Sequence, residues 1–457
     1  MSNHPTSNLV ITPATWKQTI DTLERTPSQL LNVVGWYGST HASAMWRKDD
    51  FFLNIFEKEG VRGFDPQTND WDPAYSKIEA EVLAAASVVV IRLENNELLN
   101  GSLGSVAEIG LALTSAALRG QIVIVSIEEG LLTSLNEPGA IAQYMMLEMS
   151  LENIEAIDRL AGLLRIHRGD DLKELAVMCC EAAQQQMVQN QQGLPYTEFL
   201  EKRVRRRQNY PRRVLIGGSG GAYDEIHQET FKRKRNALAA AYYAKGQPVK
   251  ILSEGAIAKA WQIPYGSVDN LGVALATRTL LSIETEYKRE ADVLLLPLMS
   301  EASSKAAATE IGFLLLYALT SGQDVKIFLE PFDPVDYIRC QLDDVNIEDC
   351  GSEKKIRMAL NEAGVADNIL ALAVKDEVIA TFRLFQTMMH GDLPSLKQVK
   401  QSLLGKTEAF NSADNIRRVR VLVQAHLERL NVDERFPGFF LYDTHVSLQP
   451  SGAAQAK

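Results

Sequence analysis

The sequence predicts an α/β fold in which one domain occurs twice, each copy with a mostly parallel five-stranded sheet that carries helices on both faces. Two observations support this prediction: short apolar segments alternate with helical segments, and the same series of segments recurs in the second half of the chain. Strands that are apolar throughout and alternate with helices are typical of a parallel sheet buried on both sides.

The repeat extends over several elements in one order. Four pairs of segments align along the chain: 32–40 with 213–221, 78–91 with 283–296, 105–113 with 307–315, and 118–130 with 320–332. In the second pair, IEAEVLAAASVVVI aligns with IETEYKREADVLLL without a gap. Agreement across successive elements indicates a duplicated domain.

Each copy contains five candidate strands. In the first copy they are LLNVVGW, VRGFDP, SVVVIRL, QIVIVSI and LLRIH, and in the second copy they are VLIGG, PVKIL, DVLLLPL, DVKIFLE and NILALAV. Helical segments lie between them, such as 42–58 and 74–86, and a helix follows the last strand of each copy.

We therefore expect five parts in the chain. They are an N-terminal helical extension at 1–28, a first α/β domain at 29–189, a basic linker at 190–211, a second α/β domain at 212–390, and a helical C-terminal segment at 391–457. The linker is polar and contains two prolines, and the last segment shows helical periodicity in ADNIRRVRVLVQAHLERL.

Composition argues against several classes of function. The chain of 457 residues has a net charge of −11, which does not favour general binding to nucleic acid or to an anionic membrane. No apolar run approaches the roughly 20 residues that span a bilayer, and the N-terminus does not resemble a secretory signal. The four cysteines show no metal-ligand spacing. We expect a cytoplasmic protein without metal, cofactor or membrane partner.

One segment departs from this acidic balance. Between 202 and 235, eleven Lys or Arg residues stand against three acids. The segment could attract phosphorylated ligands or nucleic acid, or it could be a solvated linker that pairs with acidic surfaces. The second interpretation is preferred, so nucleic acid is not an expected partner.

The loops at the carboxyl ends of the strands are where a parallel sheet is expected to bind a ligand. They are rich in Gly and Ser: WYGSTHASAMWR (36–47), ENNELLNGSLGS (94–105) and GGSGGAYDE (217–225). Such loops can bind a phosphate through free N–H groups at a helix N-terminus, or they can be plain turns. They match neither the dinucleotide fingerprint nor the Walker pattern.

One acid stands in an otherwise apolar helix after the second of these loops. In SVAEIGLAL, Ser105 and Glu108 have the spacing of a capping box, which would be a purely structural role. In the second copy Glu310 takes the same place, but Ala307 stands three residues before it and cannot cap a helix. A capping box therefore cannot account for both acids.

A second acid accompanies the first in both copies. Glu79 lies on the helix before the third strand, and Glu284 is its counterpart. Glu79 either lies on a solvated helix face or meets Glu108 at the carboxyl edge of the sheet. Enzymes that cleave a glycosidic bond with retention of configuration usually use two carboxyl groups about 5–5.5 Å apart, one as the nucleophile and the other as the general acid and base.

These residues resemble the nucleoside 2-deoxyribosyltransferase family, including its nucleoside-monophosphate N-glycosidases. The shared pattern is a Gly/Ser loop after the first strand, an acid eight residues before the third strand, and the element SLGxxxEIG, here GWYGST, Glu79 and SLGSVAEIG. The second copy has GGSGG, Glu284 and SKAAATEIG. With this resemblance we expect two tandem flavodoxin-like domains, each resembling a nucleoside deoxyribosyltransferase.

The resemblance implies roles for the matching residues. Glu108 would be the nucleophile that attacks C1′ of the sugar, with Glu310 as its counterpart. Glu79, where the family usually has Asp, would protonate the leaving base, with Glu284 as its counterpart. Tyr37 could orient Glu108, or it could simply pack. The substrate-binding positions are Gly38, Ser39, Arg47, Ser102 and Gly104 in the first copy, and Gly217, Ser219 and Ser304 in the second.

The predicted function is cleavage or transfer at the N-glycosidic bond of a nucleoside or nucleotide through a glutamyl glycosyl-enzyme. Ser102 matches the position where the family's deoxyribosyltransferases commonly have an acid and its monophosphate hydrolases have Ser, so the resemblance implies a nucleotide, with Ser39, Arg47 and Ser102 near its phosphate. A non-catalytic nucleotide sensor and an NAD glycohydrolase are the alternatives. Because sites of the family are generally completed by a neighbouring subunit, we expect pairing of the two copies within the chain or a homo-oligomer. The second copy could be an active site, a regulatory pocket or a decayed copy.

Overall fold

The computed structural model describes most of residues 9–329 and a few later positions. The described residues are 9–22, 30–38, 44–67, 73–94, 103–135, 138–155, 162–191, 211–217, 236, 239–251, 270–298, 310–316, 321, 323–329, 423, 425–427, 429 and 440–443. The chain divides into two compact units, residues 1–329 with 419–457 and residues 330–418. All described residues belong to the first unit. The predicted domain boundaries stay a prediction.

The first copy alternates strands and helices as the sequence predicts. Its elements are β1 (Val10–Ile11), α1 (Pro13–Thr22), β2 (Leu31–Tyr37), a 3-10 helix (Trp46–Lys48), α2 (Asp50–Glu59), β3 (Arg62–Phe64), α3 (Pro73–Ala85), β4 (Ala86–Leu93), α4 (Leu103–Arg119), β5 (Ile122–Ile127), α5 (Leu131–Ser134), α6 (Pro138–Glu155), β6 (Leu164–Arg168) and α7 (Leu172–Gln191). The N-terminal extension is therefore not only helical, since β1 precedes α1.

The second copy is described more sparsely. Its elements are β7 (Val214–Ile216), β8 (Val249–Ile251), α8 (Asn270–Glu290), β9 (Val293–Leu298), a helix at 310–316, β10 (Asp324–Leu329) and β11 (Phe440–Asp443). Between β10 and β11, the described positions at 423–429 are helical.

The two sheets have the same strand order. The first is ordered β1-β3-β2-β4-β5-β6 and the second β8-β7-β9-β10-β11, reading the second from its other edge. Every neighbouring pair of strands is parallel. Apart from β1, each strand of the first sheet therefore has a counterpart in the second. The α/β class and the parallel sheets are confirmed, but the first sheet has six strands where five were predicted, because β1 adds an edge strand beside β3.

The centre of the first sheet is buried on both faces. Every residue of β4 and β5 is buried, and their sequences, ASVVVIRL and IVIVSI, are rich in β-branched residues that fit a pleated surface. Val89 and Ile91 pack in one apolar cluster with α4, whereas Val88 and Val90 pack in another with α2 and α7. Helices thus cover both sides of the sheet, as the uninterrupted apolar strands require.

Two glutamines mark the duplication at the level of single hydrogen bonds. The Gln121 side-chain amide donates to the carbonyl oxygens of Leu83 and Ala86, at 2.7 and 2.6 Å. The Gln323 amide donates to those of Lys288 and Ala291, at 2.6 and 2.7 Å. The alignment of 78–91 with 283–296 makes these carbonyls equivalent, so the repeat in sequence is also a repeat in local structure.

The last strand of the second sheet is not where the sequence predicts it. The segment NILALAV lies outside the described residues, and the strand beside β10 is β11, within the segment predicted to be helical. The helix at 423–429 precedes β11 as α6 precedes β6, and HLERL (426–430) aligns with SLENI (150–154) at the same distance from the strand. The segment after 419 therefore supplies the final helix and strand of the second copy.

The two copies contact each other through equivalent helices. Gly110 on α4 and Gly312 on the helix at 310–316 approach so closely that a Cβ on Gly312 would lie 2.5 Å from the Gly110 carbonyl carbon. The Thr114 hydroxyl donates to the Gly312 carbonyl oxygen at 3.0 Å. A second contact joins α6 to α8, where Arg278 pairs with Glu152 at 2.7 Å. Among the described helices, none is long and apolar enough to cross a membrane.

Candidate active site

Three elements of the first copy bring two carboxyl groups together. Glu79 lies on α3, Glu108 lies in the second turn of α4, and Tyr37 is the last residue of β2, which precedes both helices in the chain. The negative charges of Glu79 and Glu108 both raise the pKa of the Tyr37 hydroxyl, and the charge of Glu108 raises the pKa of Glu79, so the three groups lie close enough to interact electrostatically. The structure therefore assembles the three residues for which the sequence predicts catalytic roles.

Both glutamates are inside the protein. Glu79 is 5% exposed and Glu108 is 3% exposed, so Glu79 does not lie on a solvated helix face. Since α4 begins at Leu103, Ser105 is its third residue and not its N-cap. The capping-box explanation of Glu108 therefore does not hold, and neither acid has a simple role in helix formation.

Burial changes the acidity of both groups. Loss of solvation and, to a smaller extent, the negative charge of Glu108 raise the pKa of Glu79 to about 8, against the opposing charge of Arg47. Burial also raises the pKa of Glu108 to about 8, against the pull of Arg47. The repulsion between the two carboxylates is mutual, so once one of them ionises the other holds its proton more tightly. With both pKa values raised to about 8, the two groups are mostly protonated at pH 7, and the state with one acid and one carboxylate becomes populated as the pH approaches 8.

The Arg47 side chain is buried and bonded to the protein's own backbone. Its Nε donates to the Trp36 carbonyl oxygen at 2.9 Å, and a terminal nitrogen donates to the Gly38 carbonyl oxygen. It also pairs with Asp65 at 3.7 Å and lies over the Trp46 ring. The expected contact of Arg47 with a phosphate stays a prediction. In the structure its guanidinium charge lowers the pKa of both glutamates.

Tyr37 is oriented toward the backbone of α3. Its hydroxyl donates a hydrogen bond to the main-chain carbonyl oxygen of Glu79 at 2.7 Å. The hydroxyl proton is therefore not donated to the Glu108 carboxylate. Burial and the two nearby glutamates raise the pKa of Tyr37, which therefore stays protonated. Tyr37 fixes the helix that carries Glu79 and is a positioning residue.

A residue that the sequence interpretation missed faces Glu108 from the second copy. His426, on the helix before β11, places its Nε2 atom 3.9 Å from Glu108 Oε1. The imidazole is 2% exposed, and burial with the nearby Arg119 lowers its pKa to about 3, so it is neutral. The alignment of HLERL with SLENI could have identified this helix, but no motif marks the histidine itself.

The second copy pairs its acids differently. Glu284 and Glu310 are both buried, but Lys288 reaches both carboxylates, Glu310 at 2.5 Å and Glu284 at 3.5 Å. Leu83 is the counterpart of Lys288 in the first copy. The second pair of carboxylates is therefore neutralised in part by a cation that the first pair lacks.

Strand register makes Gly217 the counterpart of Tyr37, one residue earlier than the alignment of 32–40 with 213–221 predicts. Val34 pairs with Val88, and Val214 pairs with the equivalent Val293, so the residues three positions further along correspond. A Cβ at Gly217 would lie 3.8 Å from Glu310 Oε1. The second copy thus has open backbone where the first has a tyrosine.

The remaining predicted binding positions divide into two groups. Ser39, Ser102, Ser219 and Ser304 lie outside the described residues. Gly38 has a φ of +91°, and a Cβ there would collide with the Arg92 backbone, so strand packing alone requires a glycine. Gly104 is half-buried in the first turn of α4.

Comparison with family models, with curated protein sequences and with solved structures finds no match for this chain. Among the described residues, no three His, Cys, Asp or Glu side chains form a cluster that could hold a metal ion. The chemistry available at the described site is that of two buried carboxyl groups.

Proposed function

We propose that the first copy breaks the N-glycosidic bond of a nucleoside or nucleotide through a glycosyl-enzyme intermediate on Glu108. The observation that carries this proposal is the buried pair of Glu79 and Glu108, whose pKa values are both raised to about 8 while their surroundings differ. Double displacement at an anomeric carbon requires one carboxylate and one carboxylic acid, and the mutual repulsion of two close carboxylates favours a state in which only one of them is ionised.

The position of the pair in the sheet supports the proposal. Numbered within each copy, the strand order is 2-1-3-4-5, which is the order of a flavodoxin-like fold. Tyr37 ends the first strand of this order, β2, and α4 with Glu108 follows the third, β4. Ligands of such sheets bind where these two neighbouring strands diverge. We therefore also propose that the chain contains two tandem flavodoxin-like domains.

In the first step, a Glu108 oxygen attacks C1′ of the sugar. The C1′–O bond forms as the C1′–N bond breaks, and the electron pair of the broken bond goes to the base nitrogen. Glu79 donates its proton to the leaving base and becomes a carboxylate. The neutral base departs, and the sugar remains attached to Glu108 as an ester.

In the second step, a water molecule or an incoming base attacks the same carbon. The Glu79 carboxylate removes a proton from the attacking group, while the C1′–O bond to Glu108 breaks and its electron pair returns to that carboxylate. Both glutamates then have their starting protonation states, and the configuration at C1′ is retained. Water gives hydrolysis, and a base gives transfer.

The first copy is the better candidate for this chemistry. Lys288 pairs with both Glu310 and Glu284, and a carboxylate held by an ammonium group is a weaker nucleophile and a poorer proton donor. In the first copy the equivalent residue is Leu83, which offers no ammonium group to Glu79 or Glu108. We assign the reaction to Glu108 and Glu79, and a supporting or binding role to the second copy.

The test is release or exchange of free base from a panel of nucleosides, nucleoside monophosphates and NAD. Glu108→Gln should lower turnover at least about 10³-fold, because it removes the nucleophile, whereas Glu310→Gln should leave turnover within about twofold. Nicotinamide release from NAD alone would identify an NAD glycohydrolase. Binding of a nucleotide without any base release would instead support a non-catalytic sensor.

A further inference from the structure

His426 and Glu108 come from different copies of the repeat and face each other inside the protein. The distance from His426 Nε2 to Glu108 Oε1 is 3.9 Å, and both side chains are almost completely buried. Within the part of the chain that the structure describes, Nε2 has no hydrogen-bond partner. A buried ring nitrogen without a partner is costly, so the position favours a ligand group that supplies one.

The spacing fits one bridging oxygen atom. At 3.9 Å the two atoms are too far apart to hydrogen-bond directly. An oxygen about 2.8 Å from each would form an angle of about 90° between them, within the range of hydrogen-bond geometry at a hydroxyl group. A hydroxyl can donate to the carboxylate and accept from an imidazole N–H at the same time. The gap is therefore suited to an alcohol.

The proposed reaction indicates which alcohol this is. When one Glu108 oxygen faces C1′, the other oxygen of the same carboxylate lies beside the neighbouring carbon, C2′. In a β-ribonucleoside the 2′-hydroxyl projects from the face opposite the base, which is the face that the nucleophile approaches. A 2-hydroxyl hydrogen bond of this kind strengthens as the oxocarbenium-like transition state forms.

We propose that His426 and Glu108 together bind the 2′-hydroxyl, so that the first site acts on ribosyl substrates in preference to 2′-deoxyribosyl substrates. This inference rests on the proposed function, which leaves the sugar open. His426 is then a specificity-determining residue that the second copy contributes to the site of the first. A site built around a hydroxyl disfavours the analogue without it, because the protein groups are then left unpaired.

The equivalent position in the first copy offers a matched control. Ser150 on α6 aligns with His426, is buried, and lies on the helix that contacts α8 of the second copy. A short hydroxyl side chain replaces the imidazole there. Ser150→Ala should therefore leave the sugar preference of the first site unchanged.

The experiment compares ribonucleoside monophosphates with their 2′-deoxy counterparts for adenine, guanine, cytosine and uracil. Base release and equilibrium binding are both measured for the full-length protein, for His426→Leu, for His426→Gln and for Ser150→Ala. The wild type should prefer the ribo substrate about 10- to 100-fold, as the loss of one hydrogen bond to a charged group predicts. His426→Leu should abolish the preference, and His426→Gln, which keeps an N–H near Nε2, should restore part of it.

Each outcome separates this inference from the proposed function. Base release without a ribo preference, or with a preference that His426→Leu leaves intact, overturns the role of His426 while the glycosidase proposal stands. Ribo-selective binding that depends on His426 but gives no base release overturns the proposed reaction and supports the hydroxyl site. Neither binding nor base release overturns both. If His426→Leu no longer unfolds cooperatively, the sugar preference of His426→Gln is used instead: a preference as strong as that of the wild type would overturn the role of His426, and a weakened one would support it.

Discussion

Gly110 and Gly312, which occupy the same position in the two copies, lie against each other where two equivalent helices cross. A Cβ on Gly110 would lie 2.7 Å from the Phe313 nitrogen, and one on Gly312 would lie 2.5 Å from the Leu111 nitrogen. Contact between equivalent residues is the property of a two-fold axis. The duplicated chain has therefore built within itself the kind of interface that a symmetric dimer would form.

This crossing predicts a strong sensitivity to a single methyl group. Gly312→Ala should lower the free energy of unfolding by about 2–4 kcal/mol, because the new Cβ meets backbone atoms that cannot rotate away. Urea denaturation measures the loss. Gly162→Ala, where a Cβ would meet nothing within 4 Å, serves as the control and should change stability by less than about 0.5 kcal/mol. Equal stability of the two variants would contradict this description of the interface.

The buried acid pair predicts an alkaline loss of stability. Glu79 and Glu108 have an ordinary pKa of 4.5 and a pKa of about 8 in the folded protein. The folded state therefore holds protons that the unfolded state has released, and the free energy of unfolding should fall as pH rises from about 4.5 to about 8. Urea denaturation across this range measures the decrease.

The double variant Glu79→Gln/Glu108→Gln is the control for this titration. It keeps the volume of both side chains but cannot lose their protons, so its stability should depend less on pH between 4.5 and 8. If wild type and double variant lose stability in parallel over this range, the two glutamates are not the groups responsible.

Lys288 predicts a cost specific to the second copy. Lys288→Leu, which introduces the residue of the first copy, leaves Glu284 and Glu310 without this cation and should destabilise the fold by about 2–4 kcal/mol at pH 8. Adding Glu310→Gln should recover part of the stability, which chemical denaturation of the three proteins can establish. No recovery would mean that the lysine acts through packing alone.

Arg47 predicts a shift in the pH dependence of activity. Its charge lowers the pKa of both Glu79 and Glu108, so Arg47→Met should move the acidic limb of the base-release profile to higher pH. Arg92→Met is the matched control, since Arg92 is also buried and hydrogen-bonded but does not act on the pair. Both variants should lose stability, because each leaves polar partners unpaired. An unshifted profile in Arg47→Met would show that another group sets the acidity.

The alternation of strands and helices could be predicted because it depends on local patterns. The runs SVVVIRL and QIVIVSI are apolar on both faces, and only a sheet covered on both sides accommodates them. The pairing of Glu79 with Glu108 could also be anticipated, since the repeat shows both acids twice at corresponding places. The pairing of β11 with β10 could not be predicted, because 110 residues separate the end of β10 from the start of β11 and strand pairing at such a separation leaves no local signal.

The sequence by itself determined the duplicated α/β framework and the presence of two acids in each copy, because hydrophobic periodicity and repetition are written in the order of residues. Only the tertiary structure decided how each pair is used. Leu83 and Lys288 occupy equivalent positions in the two copies. That Lys288 pairs with both acids of the second copy, and so changes their charge balance, appears only in the structure. The contact between His426 and Glu108 likewise appears only in the structure, because burial and electrostatic interaction depend on distances in space and not on the order of residues.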